Sequence, residues 1–424
     1  MVKVLIVGSG GREHTLAWKL RQSPLVSELF IAPGNGGTAA EGTNVPISDT
    51  DVPALVKFAT DNAIGLVVAG PEAPLVLGLA DALAAANVPC FGPDAFAANL
   101  EGSKSFAKTV MREAGVPTAD FAVFTDLAAA KAHVATRPLP MVVKADGLAA
   151  GKGVVVARTR AEALDALDEM MVQRIFGPAG DKVVVEDALI GEEASFLAFC
   201  DGKHASPMPS AQDHKPVGEG DTGPNTGGMG AYSPAPVLPP ADWEKTADLC
   251  IRPILKRLAE LGHPFKGILY AGLMYTAAGP LVLEYNVRFG DPECQPLLCR
   301  LDSDLCAVML ACIAGDLPKA DVRWSNDTAI CVVMAAAGYP KAYPKGMAIS
   351  GIPAAEALGR VKVFHAGTKA ADGGAVTSGG RVLGVTALGP DLASAQALAY
   401  RAVDLVRFAN SYVRRDIGGK GIGR

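Results

Sequence analysis

The sequence has no C-x-x-C pair among its eight cysteines and no H-E-x-x-H among its six histidines. Most of the cysteines sit in apolar runs such as CAVMLACIAG (Cys306 to Gly315), which suits reduced core residues better than disulfide partners or zinc ligands. Any metal is therefore expected on oxygen ligands. Nowhere do 18 uncharged apolar residues run together, which excludes a predicted membrane-spanning helix. The opening MVKVLIVGSGGREH enters a strand and a glycine turn with no apolar signal core, so a soluble, cytoplasmic protein is expected. The net charge of −5 gives no global attraction for nucleic acid or an acidic membrane, so anion binding must be local. No internal repeat and no coiled-coil heptad are found. What remains is a chain of 424 residues, half of them apolar, long enough for about three domains.

The stretch Met141 to Val156, MVVKADGLAAGKGVVV, consists of two β-rich runs around a loop with Gly147, Gly151, Gly153 and two lysines, Lys144 and Lys152. Glycines admit a phosphate chain close to the backbone, and lysines bring compact positive charge to it. It is not a Walker loop, because Lys152 is followed by Gly153 and a strand instead of Ser or Thr and a helix. The two readings are a flap over polyphosphate and a plain hairpin with solvated lysines. Far downstream, Leu281 to Glu293 reads LVLEYNVRFGDPE. Strand alternation puts Glu284 and Asn286 on one face, an oxygen pair suited to Mg²⁺, and Arg288 follows on the same side to hold an anion. Leu283, Tyr285 and Val287 are expected on the packed face.

From the beginning, a strand (Val2 to Val7), a glycine turn (Gly8 to Gly11) and a helix (Glu13 to Gln22) open a doubly wound domain whose helix N-terminus is free for a phosphate. A dinucleotide site fails: Glu13 stands where G-x-G-x-x-G needs its third glycine, and the second strand (Glu28 to Ala32) ends without an acid for a ribose. A helix is expected at Val52 to Asp61, a strand at Gly65 to Ala69, a helix at Val76 to Asn87 and a strand at Val88 to Phe91. The loops Gly8 to Gly11, Pro33 to Thr38 and Gly70 to Leu75 are then expected to line one crevice. Helix Lys104 to Ala114 precedes a βαβ-like insert: strand Ala122 to Phe124, helix Leu127 to Ala135, the flap hairpin, helix Ala161 to Gln173 and strand Val183 to Asp187. Glu186-Asp187-Ala188-Leu189 and then Gly191-Glu192-Glu193 follow: a strand end with exposed backbone groups suits a purine edge and an acid a few residues later suits ribose hydroxyls, although acidic residues after a strand are common. The glycine-rich loop Ser210 to Pro234 carries Asp213, Lys215 and the small donors Asn225, Thr226 and Gly227, and reads as a substrate loop. Helices are expected at Trp243 to Leu261 and Asp304 to Ala314. Beyond them come strands Thr328 to Ala337, Arg360 to Ala366 and Arg381 to Leu388, then a helix Leu392 to Asn410.

With these segments assembled, the chain resembles the phosphoribosylamine:glycine ligases, or glycinamide ribonucleotide synthetases, ATP-grasp enzymes of purine biosynthesis. The match runs along its whole length, through GSGGREH (Gly8 to His14), APGNGGT (Ala32 to Thr38), GPEAPL (Gly70 to Leu75), LEGSK (Leu100 to Lys104), KADGLAAGKGV (Lys144 to Val154), GEEASF (Gly191 to Phe196), QDHK (Gln212 to Lys215), DTGPNTGGMGAYSPAP (Asp221 to Pro236) and RFGDPE (Arg288 to Glu293). The resemblance implies an α/β chain with an N-terminal doubly wound parallel-sheet domain (1–102), a two-lobed ATP-grasp core and a small C-terminal α+β domain (327–424). The central lobe would take 103–117 and 191–326, and the lid lobe 118–190. It further implies Lys104 and Lys144 on ATP phosphates, Glu186 and Leu189 at adenine, Glu193 at ribose, and Glu284 with Asn286 on Mg²⁺ or Mn²⁺. Gly10, Gly11, Glu13 and Glu72 would face phosphoribosylamine, and Asp213, Lys215 and Arg288 the reacting groups. The expected reaction activates glycine as glycyl phosphate, which the amine of phosphoribosylamine then attacks, in a monomer with transient contact to the upstream enzyme left open. One departure is visible: Gly419-Lys420-Gly421 stands where the family usually shows one residue, then Arg-Ala. Two other readings remain, a different ATP-grasp ligase and a nucleotide-binding protein without turnover.

Overall fold

Strand β1 (Val2–Gly8) is fully apolar from Val4 to Val7, and all four of these residues are buried. A strand apolar on both faces belongs inside a parallel sheet covered by helices. That is where this computed structural model, which describes residues 1–148 and 153–424, places it. With β2 (Val26–Pro33), β3 (Thr43–Asn44), β4 (Leu66–Ala69) and β5 (Cys90–Phe91) it forms a parallel sheet of order β3-β2-β1-β4-β5. Gly8 lies opposite Pro33 and Val7 opposite Ala69, so the loops after β1, β2 and β4 leave the same edge. Helix α1 (Gly11–Arg21) starts two residues earlier than expected, because Glu13 folds back to accept the Gly10 N–H at 2.5 Å and caps the first turn. The α2 helix (Val52–Asp61) is as expected. The next predicted helix is two pieces, α3 (Ala73–Val76) and α4 (Leu79–Ala85), broken at Gly78 with φ of 86°. Two further helices, α5 (Ala95–Gly102) and α6 (Lys104–Glu113), meet at Ser103, whose hydroxyl caps α6.

A second sheet, β6 (Phe121–Phe124), β7 (Met141–Ala145), β8 (Val154–Ala157) and β9 (Val183–Asp187), has the order β6-β9-β7-β8. All its pairings are antiparallel, which corrects the βαβ-like expectation for this insert. Helices α7 (Leu127–Thr136) and α8 (Arg160–Leu167) cover it with a small core of their own around Met141, Val143, Val183 and Val185. The third sheet takes β10 (Glu192–Asp201), β11 (Ala205–Pro207), β16 (Lys266–Thr276) and β17 (Gly279–Asn286) in the order β11-β10-β16-β17. The register of β16 against β17 slips between Gly272/Glu284 and Leu273/Val282. Leu283 is the extra residue, so the packed face is Val282, Tyr285 and Val287, and Leu283 is not part of it.

The glycine-rich stretch at 210–234 is not one open loop. It folds as β12 (Gln212–Asp213), the hairpin β13 (Pro216–Gly218) with β14 (Thr222–Asn225), and β15 (Gly230–Ser233). Strands β12 and β15 join a sheet with β18 (Thr328–Ala336), β20 (Val361–His365) and β23 (Arg381–Gly389), in the order β12-β15-β18-β23-β20, with β24 (Ser411–Tyr412) beside β18. Segment 212–233 thus completes the sheet of the C-terminal module. A small sheet of β19 (Ala348–Ile349), β21 (Thr368–Ala371) and β22 (Gly374–Thr377) flanks it. The expected helix at 243–261 divides at Ile251, ahead of Pro253, into Trp243–Cys250 and Arg252–Glu260. The final helix ends at Val403, seven residues short of expectation. No helix among the described residues is long and apolar enough to cross a membrane.

Candidate active site

The flap strand and the acid-bearing strand meet. Lys144, near the end of β7, reaches across from the second sheet to Leu283 O in β17 at 3.4 Å, one residue from Glu284. Lys104, at the start of α6, donates to Gly147 O at 2.9 Å and so holds the near end of the flap. Burial lowers the Lys104 ammonium from its ordinary value, and the Glu284 carboxylate acts against that. Glu284 is also felt by Lys215. Gly153, at the far end of the flap, accepts the Ala145 N–H at 2.9 Å, whereas Gly151 and Lys152 lie outside the described residues.

Glu186 and Arg288 are the two junctions of this region. The Glu186 carboxylate, almost wholly buried, lies 2.5 Å from Lys144 Nζ and 2.5 Å from Lys108 Nζ. Burial alone would raise its pKa, and the two ammoniums outweigh that and hold it below the usual range. Leu189, expected beside it at a purine, is half-buried in the loop after β9. Arg288 donates to Glu72 at 3.2 Å, to Asn286 Oδ1 at 3.0 Å and to Glu101. Glu101 also accepts the Val287 N–H at 2.8 Å, and burial pushes its carboxyl up to about 7 against the pull of Arg288.

A third group lies on β10 and β12. Lys215 Nζ is 2.5 Å from Glu193 and 3.5 Å from Asp213. Behind it Glu293 accepts from Tyr270 at 2.7 Å and from Ser195 at 3.1 Å, all buried. Burial pushes the Asp213 carboxyl up, with Lys215 opposing, and these carboxylates hold the Lys215 ammonium well above its ordinary value despite its own burial.

The N-terminal residues surround a separate cavity of about 490 Å³ between the carboxyl edge of the parallel sheet and the C-terminal module. Ser9, Gly10 and Pro33 to Asn35 form one wall, and Thr368, Lys369, Ser378 and Arg381 face them with Asp291 between. Gly70 to Leu75, expected in the same crevice, are not part of its lining. The reason is Glu13: a Cβ on Gly70 would lie 2.1 Å from its carboxylate, so the Gly70 turn closes over Glu13, and Glu72 turns to Arg288. Glu13 itself is buried, held by the Gly10 N–H and by Arg12 at 2.6 Å, and occupies the helix N-terminus that was expected to be free. Gly11 packs so tightly that a Cβ would strike Gln295 at 2.6 Å. Thr226 is tied to Lys215 O, Gly227 donates to the Tyr339 hydroxyl and accepts from Arg381 at 2.5 Å, and Asn225 is exposed in β14.

Sequence reasoning passed over Lys108, Glu101, Glu293, Lys369 and Arg381. Glu101 and Glu293 lie inside segments already singled out, and a pairing requirement for Arg288 would have pointed to the first. Arg381 follows two glycines and reads only as the first residue of a strand.

Three family models cover most of the chain in consecutive blocks: the phosphoribosylglycinamide synthetase N domain over 2–101, its ATP-grasp (A) domain over 102–294, and its C domain over 329–420. The chain belongs to the phosphoribosylglycinamide synthetase family. It is 52% identical to a phosphoribosylamine–glycine ligase of Rhodopirellula baltica over 426 aligned positions, covering 99% of this chain and 98% of that protein. It is 53% identical to one of Agrobacterium fabrum, over 100% of this chain and 99% of the other. The crystal structure of a phosphoribosylamine–glycine ligase from Thermotoga maritima superposes with a TM-score of 0.87 at 33% identity, covering 98% of this chain and all of that one. A biotin carboxylase domain from Hydrogenobacter thermophilus, solved with MgADP, shares the fold with a TM-score of 0.75 at 15% identity, over 97% of this chain and 92% of that chain. Lys144 and the Glu284 strand, which meet at Leu283 O, both lie within the span of the ATP-grasp (A) domain model.

The donor set suits a hard divalent ion. Glu284 is half-buried in β17, two positions before Asn286, whose amide oxygen accepts from Arg288 at 3.0 Å. The described residues hold no cluster of three or more His, Cys, Asp or Glu arranged for a metal. Two protein oxygens with the remaining ligands from water and phosphate is the usual arrangement for Mg²⁺ at a nucleotide.

Proposed function

We propose that this protein joins glycine to 5-phosphoribosylamine at the expense of ATP, giving glycinamide ribonucleotide, ADP and phosphate in purine biosynthesis. The observation that carries the reading is the convergence of Lys104, Lys144 and Glu284 on one cleft beside the Lys215–Glu193–Asp213 group. A carboxylate resists amines because it is anionic and lacks a leaving group, and phosphorylation removes both obstacles. A glycine carboxylate oxygen attacks the γ-phosphorus and ADP leaves; the amine nitrogen then attacks the acyl carbon, phosphate leaves, and the nitrogen gives up a proton.

In this reading Lys104 and Lys144 neutralise the transferring phosphoryl group, Glu193 takes the ribose and Glu186 with Leu189 lies at the adenine. Gly151, Lys152 and Gly153 belong to the flap that excludes water from the acyl phosphate. Asp213, Lys215 and Arg288 stand at the reacting groups. Glu284 and Asn286 would hold the divalent ion, Mg²⁺ or Mn²⁺, which supplies positive charge to the phosphate oxygens. The cavity lined by Gly10, Lys369 and Arg381 takes the sugar phosphate, with Gly11 packed next to it against Gln295 and Asn225 to Gly227 beside Arg381. Glu13 and Glu72, which pair with Arg12 and Arg288, are assigned to phosphoribosylamine as well. We assign residues 1–102 to binding the amine, 103–117 with 191–326 and 118–190 to the two ATP-grasp lobes, and 327–424 to closing the site. A cytoplasmic monomer is proposed, with the amine handed over in transient contact by the enzyme that makes it; eight free cysteines support a reducing compartment.

The test is product identity. Labelled glycine is expected to enter a phosphorylated riboside only with ATP and phosphoribosylamine both present. Incorporation of bicarbonate instead, or ATP binding without any glycine-dependent product, would support the other two readings.

A further inference from the structure

Residues 412–420, which include the Lys420 departure from the family pattern, pack along the β13–β14 hairpin. Arg414 is the largest fully buried side chain of the protein, and its guanidinium is used on every side. It donates to Asp416 at 2.7 and 2.8 Å, to Pro216 O at 2.9 Å and to Asp221 at 3.1 Å. Asp221, at the hairpin tip, has φ of 56°, a conformation uncommon outside glycine, and Lys420 Nζ lies 2.5 Å from its second oxygen. The backbone is pinned as well: Gly220 N–H donates to Asp416 at 2.8 Å, Arg415 N–H to Glu219 at 2.9 Å, and the Tyr412 hydroxyl to Val217 O at 2.9 Å. At the other end of the hairpin, the Thr226 N–H and hydroxyl both donate to Lys215 O at 2.8 Å. The hairpin is therefore a lever with its tip in the C-terminal segment and its root at Lys215. The charge of Lys420 also reaches Glu193 and Asp213, the two carboxylates that hold the Lys215 ammonium.

We propose that Lys420 is a positioning residue for the nucleotide side of the cleft: by holding Asp221 over buried Arg414 it fixes the hairpin, and through its root it sets Lys215 between Glu193 and Asp213. The inference rests on the proposed roles of Glu193 and Lys215. Lys420 is about as exposed as Asp221, 36% against 35%, so Lys420→Met removes the charge without opening the core. The scale of a half-exposed ion pair is about threefold to fivefold in an equilibrium constant. Lys420→Met is expected to weaken ATP binding by about that factor in calorimetric titration, with an equal rise in the KM for ATP, an unchanged KM for phosphoribosylamine and an unchanged melting midpoint. Lys420→Arg restores binding, and Asp221→Asn reproduces the loss. An unchanged Kd for ATP in folded Lys420→Met overturns the proposal, as does a common rise in every KM together with a lower midpoint. Direct ATP titration keeps this separate from the reaction assigned above, which fails if the wild type forms no product from glycine.

Discussion

Replacing Glu186 by glutamine tests the electrostatic core of the lid. The carboxylate serves two lysines at once, each at 2.5 Å, and all three side chains are almost wholly buried. Glu186→Gln keeps the shape and leaves two ammoniums facing each other out of water. Removing one partner of a buried ion pair costs about 3–5 kcal/mol, and with two cations uncompensated the loss is expected at about the top of that range. Since a domain is stable by only about 5–15 kcal/mol, the lid is expected to open or melt ahead of the remaining chain. Hydrogen exchange over β7 and β9, together with urea unfolding, reads this directly. Lys108→Met alone is milder, because Glu186 keeps Lys144. Added to Glu186→Gln it removes one of the two stranded charges and is expected to recover about half the loss. A Glu186→Gln protein as stable as wild type, or a double variant worse than Glu186→Gln alone, would refute this account of the lid.

Three other perturbations follow from the same geometry. Glu284→Gln is expected to lower kcat by at least ~10² with an unchanged melting midpoint, the scale of losing one electrostatic stabiliser; a fully active variant would remove Glu284 from the metal role. Arg381→Met, which takes a cation from the 490 Å³ cavity, is expected to raise the KM for phosphoribosylamine about tenfold and leave that for ATP unchanged. Equal effects on both would contradict the assignment. Glu101 keeps its proton to about pH 7 when folded but loses it near 4.5 when unfolded, so its contribution is present below the unfolded value and is lost as pH rises through 7. Glu101→Gln should flatten that part of the stability profile, by about 3 kcal/mol between pH 4.5 and 7, as read from denaturant midpoints; an unchanged profile would refute the shift.

Much of the fold and of the cleft is legible in the amino-acid sequence. Strand β1, helix α2 and the flap hairpin are local patterns of apolar periodicity and glycine, and Glu284 with Asn286 share a face by alternation alone. The features that escape a sequence reading depend on partners far away in the chain. Leu283 changes role because a bulge against β16 shifts the register, which no local alternation encodes. The 210–234 segment reads as a loop because its strands have only two to four residues and the one that ties it to the sheet, β15, pairs with β18, some hundred positions downstream. Glu13 looks like an outward-facing ligand, and its inward turn is fixed by Gly70 and Arg12 packing around it. Lys108 carries no motif at all. Its importance exists only because, from helix α6, it reaches Glu186 on β9, whose carboxylate has two oxygens to satisfy.

The central claim is that glycine is made reactive by phosphorylation of its carboxylate in the cleft where Lys144 meets the Glu284 strand. Glycine carrying oxygen-18 in its carboxylate measures this directly by mass spectrometry of the released phosphate. The account predicts one labelled oxygen transferred to each phosphate released in the presence of ATP and phosphoribosylamine. Phosphate that emerges unlabelled while the amide product forms would contradict it.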